Sequence, residues 1–249
     1  MRYTLYALIL ILTLSASTAR SADMNNGPYS DLLRMYVKDG LVDYGGLAAD
    51  REGLDTYLAQ MSLVDPKALS RDSHMAFYIN LYNAATLRLI VDHYPVQSIK
   101  NIGSFFSSPW KLKVVSLHGE MVTLDHIEHD IVRPQFNDPR VHFAFNCSAL
   151  SCPELLGVPF VGTTLDSQLE SAVKGYINDG KNNYLDGTTL YVSKIFSWFS
   201  DDFPDDFVSW FTGYAQGNLK KALEQLEAEG RRPQVRYLKY NWGLNKQGP

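Results

Sequence analysis

The chain has 249 residues, 45% of them hydrophobic, a formal net charge of −4 and two cysteines. That length and apolar content suffice for a full core in one large domain. Mild acidity without a Lys/Arg cluster argues against a nucleic-acid or anionic-membrane partner.

Residues 1–21 read as a signal peptide: Arg2, an apolar run over 5–14, then small residues with cleavage after Ala19 or Ser21. The run is too short for a permanent membrane anchor. Residues 22–249 then read as a single domain, periplasmic or secreted, with no stable membrane insertion.

Helices are predicted over 29–37 and 50–61, with an extended piece at 42–44 ended by Gly45-Gly46. The longest helix, 71–92, is apolar almost all round, which places it at the centre of the fold. One stripe on it differs. Ser73, Ala76, Asn80, Asn83 and Ala84 lie close together at helical spacing, and the two amides need partners. Asn80 and Asn83 read as structural clamps or as groups that orient a ligand or a histidine, facing 141–147 or 124–132. Phe105, Phe106 and Trp110 make a candidate aromatic rim. A hairpin follows over 111–115 and 120–122, turning at His118-Gly119.

Residues 118–153 hold both cysteines and four of the six histidines. Thr123 is a good N-cap for a helix that should stop before Pro134. Glu128 falls inside its apolar arc with Leu124, Ile127, Ile131 and Val132, while His126 points away and His129 flanks it. A carboxylate there must be paired, with Arg133 or Arg140 as candidates, or protonated. Residues 141–147 read as a strand, Val141, Phe143, Phe145 and Cys147 on one face and His142, Ala144 and Asn146 on the other. That parity separates His142 from Cys147 unless the chain bends at Asn146–Cys147. Cys152, before Pro153, stands where an N-cap would be, a position that lowers a thiol pKa.

Beyond this stretch come a helix over 165–178, a hairpin over 182–185 and 189–192 about Asp186-Gly187, and an aromatic-rich segment at 195–203. Helices over 207–214 and 219–227 precede a strand at 234–240. Long helices alternating with hairpins predict an α+β fold, a central buried helix packed on an antiparallel sheet. Papain-like and transglutaminase-like folds share that outline, by analogy only.

The segments AFYINLYNAATLRLI (76–90), VTLDHIEHDIVRP (122–134), VHFAFNCSALSCP (141–153), VSKIFSWFSDDF (192–203) and YLKYNWGLN (237–245) together resemble the domain of unknown function 547 family, found in bacterial secreted proteins and plant proteins. Recurrent polar residues of that family match Asn80, Asn83, Glu128, His129, His142 and Cys147. The family often has Asp before the Trp near the C-terminus, where this chain has Asn241. The resemblance implies a shared domain and names no activity.

Three readings of the cysteine pair follow: a Cys147–Cys152 disulfide, a metal site with His142, or a thiolate nucleophile. The spacing fits no familiar zinc pattern, so no metal is expected. No phosphate loop, nucleotide fingerprint, Gly-x-Ser-x-Gly elbow or His-Glu-x-x-His occurs, and no cofactor is expected. The first function class is an exported binding or interaction module with the disulfide closed, its partner an envelope peptide, protein or small molecule. The alternative is a thiol-dependent hydrolase or acyl transferase. Its nucleophile would be Cys147 or, second, Cys152, and its base His142 or, second, His129. Glu128 would orient the imidazole, with Asn80 or Asn83 in support and Trp110 at the rim.

Overall fold

The computed structural model describes residues 24–104 and 107–248; residues 1–21, read above as a signal peptide, and the candidate rim residues Phe105 and Phe106 lie outside the described residues. The chain begins with α1 (Gly27–Tyr36), a two-stranded ribbon of β1 (Val37–Lys38) and β2 (Leu41–Val42), then α2 (Tyr44–Ala49) and α3 (Arg51–Ser62). Gly45 and Gly46 do not end an extended piece, as the sequence suggested. Asp43 accepts from Gly46 N at 2.9 Å and so caps α2, drawing both glycines into the helix.

Helix α4 (Arg71–His93) is the centre of the fold. Ser70 caps it, and every residue from Ser73 to Leu87 is buried. Helices α2 and α3 pack against it, as does the antiparallel hairpin of β3 (Lys113–Leu117) and β4 (Glu120–Thr123). The hairpin turns through His118 and Gly119, both at positive φ. Its last residue, Thr123, accepts from His126 N at 2.9 Å and starts the next helix, as its N-cap chemistry predicts.

That helix does not stop before Pro134. A π-helical stretch, His126–Val132, runs straight into α5 (Arg133–Phe136). Proline clashes with the carbonyl four residues back in a 3.6-residue turn, and the wider π turn relieves that crowding. The helix ends instead at Asn137, in the left-handed region.

The strand predicted at 141–147 is absent. Residues Pro139–Phe143 form a 3-10 turn and the chain beyond is irregular. The Asp138 side chain accepts from Arg140 N at 3.0 Å, and Pro139 sits at the first helical position. Local capping therefore outweighs the β-propensity of Val141, Phe143 and Phe145. With no strand, the parity that would separate His142 from Cys147 no longer applies.

Helix α6 (Leu165–Ile177) leads to the hairpin of β5 (Tyr184–Asp186) and β6 (Thr189–Val192), then α7 (Ile195–Trp198), α8 (Phe207–Tyr214), α9 (Gly217–Ala228) and β7 (Gln234–Tyr237). Strand β7 pairs with β6 in parallel, so this three-stranded sheet is mixed rather than purely antiparallel. Helices α7–α9 supply the crossover that parallel pairing requires. The class is α+β, with small sheets set around a helical centre.

Two apolar clusters result. One surrounds α4; the other gathers Phe143, Tyr176, Phe196, Phe203 and Phe211 from the C-terminal half. Among the described residues no helix is long and apolar enough to cross a membrane.

Candidate functional site

A cavity of about 180 Å³ lies where the two clusters meet. Tyr82 on α4 and Phe145 line one side, and Cys152, Ile195 and Tyr240 line the other. The π-helical stretch and the residue before it contribute Asp125, Glu128 and His129, and Trp110, Trp198 and Trp242 stand around it. π-helical turns recur at functional sites, where the wider turn re-aims side chains.

Glu128 is buried, 8% exposed. Burial pushes its carboxyl up to about 7, against the pull of the Tyr82 hydroxyl and the Arg133 charge. Neither expected arginine pairs with it. Arg133 makes a bidentate contact to Asp202, Nε at 2.6 Å and Nη2 at 2.9 Å, and Arg140 is held by Asp138 and Asp166. The planar guanidinium fork matches the two oxygens of Asp202, so only its charge reaches Glu128.

His142 Nε2 donates to Asp202 Oδ2 at 2.6 Å, and the ring stacks on Phe199 with centroids 3.9 Å apart. The carboxylate fixes the tautomer: Nε2 carries the proton and Nδ1 the lone pair. Nδ1 is buried with no hydrogen-bond partner among the described residues, 3.9 Å from Glu128 Oε1, too long for a bond. Burial lowers the His142 pKa, only partly countered by Asp202. The His142 hydrogen bond and then Arg133 hold Asp202 far below the usual carboxylate range, although burial opposes them. His129 is exposed at the rim. Its Nδ1 accepts from Arg133 Nη1 at 2.7 Å, and partial burial plus that positive charge lower its pKa.

The cysteines are free thiols whose Sγ atoms lie 2.6 Å apart. Asn146 brings them together: its side chain accepts from Ser148 N at 2.9 Å and donates to Pro153 O at 2.7 Å, folding the loop back on itself. Burial pushes the Cys147 thiol well up. Burial also opposes ionisation of Cys152, but hydrogen bonds from the Cys147 thiol and N–H and from Tyr240 outweigh it and lower that pKa. Tyr240 Oη lies 3.3 Å from Cys147 Sγ. Among the described residues, neither sulfur has a histidine as a hydrogen-bond partner.

Residues 66–177 match the family model described as "Protein of unknown function, DUF547". This segment belongs to the DUF547 family. It carries α4, the π-helical turn and the cysteine loop. No curated protein and no solved structure matches the chain.

The structure thus brings Cys147, Cys152, His142, His129, Glu128 and Trp110 to one cavity. Asn80 and Asn83 do not line it. Asn80 bonds Phe160 N and O at 2.9 and 2.8 Å, and Asn83 bonds Ala144 O and Asn146 N at 2.9 and 2.8 Å. Both clamp loops onto α4, and Asn83 anchors the start of the cysteine loop. Tyr82, Asp125, Trp198, Phe199, Asp202, Tyr240 and Trp242 were not singled out from sequence. Five of the seven follow the DUF547 match, within the two C-terminal segments of the resemblance, and those segments were the available signal. Asn241 accepts from Gly243 N at 3.0 Å, a turn bond that the family's Asp would make equally well.

Proposed function

We propose that this is an exported ligand-binding protein whose cavity is walled by aromatic rings and closed at its base by a Cys147–Cys152 disulfide. The observation that carries the reading is the pairing of the two sulfurs with each other and Tyr240, while His142 belongs to Asp202. Closing the pair removes two protons and two electrons, which an oxidising disulfide takes up by thiol exchange. The signal-peptide segment supplies the address, an oxidising compartment where such a bridge persists. The partner is an envelope peptide, protein or small molecule with a group small enough for the cavity.

A second reading has its own support. His142, oriented through Nε2 by Asp202 and left with a free Nδ1, is arranged like a general base. In that reading the protein is a thiol-dependent hydrolase or acyl transferase with Cys147 as nucleophile. A count of reactive thiols on native protein, before and after reductant, separates the two. The binding reading expects none before and two after under unfolding conditions; a thiol reactive before reductant favours the enzyme.

A further inference from the structure

The lining of the cavity has an unusual charge balance. Two carboxyl groups, Asp125 and Glu128, face it, and among the described residues neither Lys nor Arg does. Both histidines there have lowered pKa values, so they add no positive charge at neutral pH. Asp125 makes no ion pair or side-chain hydrogen bond among the described residues. A half-buried carboxylate without a partner at a cavity wall favours a cation.

The rest of the wall is aromatic. Trp198, Tyr240 and Trp242 form one connected group, with centroids 4.6 to 5.6 Å apart, and Trp110 meets Trp242 at 5.6 Å. Trp198 is 47% exposed, a large indole left open beside a cavity. Two of these walls already attract cations from outside: Lys100 Nζ lies 5.1 Å from the centroid of Trp242, and Arg133 lies over Phe199 at 5.2 Å.

Size limits the ligand. About 180 Å³ is the share of roughly six liquid waters. That admits a compact head group and falls below the range of drug-sized pockets. A primary ammonium brings three donors that each need an acceptor when desolvated. A quaternary ammonium brings none and is held by ring faces and one counter-charge.

We propose that the cavity binds a quaternary ammonium head group, seated against Trp198, Tyr240 and Trp242 with Asp125 as counter-ion. The proposal rests on the ligand-binding reading above and names its ligand class.

The test uses the native chain, with choline as the cation and 3,3-dimethylbutan-1-ol as its neutral isostere, followed by calorimetry and tryptophan fluorescence. Choline should saturate the protein, and the isostere should bind roughly tenfold or more weakly. Trp198→Ala should lose tenfold or more in choline affinity, Trp198→Phe should keep part of it, and Asp125→Asn should weaken it. Circular dichroism checks that each variant is folded. Equal affinity for the isostere would overturn the cationic assignment while leaving a ligand cavity in place. Failure of choline to saturate, or an unchanged affinity in folded Trp198→Ala, would also overturn it. The thiol count judges the underlying reading independently.

Discussion

At the scale of single residues, Glu128 makes the sharpest prediction. Its carboxyl goes from an ordinary 4.5 to about 7 on folding. The folded state therefore holds the proton more tightly, and stability falls as pH rises through that window. Glu128→Gln keeps an acceptor for Tyr82 and removes the titration. The variant should match the parent near pH 4 and exceed it by roughly 3 kcal/mol at pH 8 in urea unfolding. Parallel stability curves would show that Glu128 ionises freely. Asp202 has the opposite sign: its pKa is depressed, so its contribution is present above the unfolded carboxylate value and lost on acidification. Asp202→Asn removes the Arg133 counter-charge and leaves one carbonyl oxygen where two carboxylate oxygens accepted from His142 and Arg133. It should cost roughly 1–3 kcal/mol at pH 7, discounted for partial exposure, and the cost should shrink in acid. Glu128 was legible in the sequence because an acid on an apolar helical arc stands out. Its partner Tyr82 was not, since a tyrosine on an all-apolar helix reads as core.

At the scale of elements, amides and caps decide the site. Asn83 holds Ala144 O and Asn146 N, both buried. Asn83→Ala leaves two backbone groups without partners and should cost roughly 2–4 kcal/mol, with faster hydrogen exchange at Asn146 N–H. A second close approach lies on the same helix, where a Cβ on Gly162 would stand 2.7 Å from Ser73 N. Gly162→Ala must shift backbone and should be destabilising in a thermal melt; an unchanged melting temperature would show that the loop yields freely. Helix α4, both hairpins and α8 were readable because long apolar patterns and Gly-containing turns are local signals. Residues 141–147 were not. Their alternation imitates a strand, while the deciding groups, the Asp138 cap and the Asn83 clamp, lie outside the segment. Pro134 misled for a related reason: its usual stop assumes a 3.6-residue turn, and the preceding turn is π.

At the scale of the whole molecule, the cavity exists because two apolar clusters meet, one joining the DUF547 segment to the helices before it and one built largely from the residues after it. The crossover from β6 to β7 carries Trp198, Phe199 and Asp202 to His142, and the chain after β7 brings Tyr240 and Trp242. No local pattern encodes such a meeting, so the sequence could gather the cysteines and histidines but not their walls. The same arrangement gives His142 to Asp202 and leaves the two sulfurs to each other. The most direct test is the pH dependence of iodoacetamide reaction with the reduced thiols, in the parent and in His142→Ala. If the cysteines form a structural pair, the apparent thiol pKa should be unchanged by His142→Ala, even where that variant is less stable. A rise of a unit or more in the variant would show that His142 activates a thiolate, and would contradict a binding protein with a closed pair.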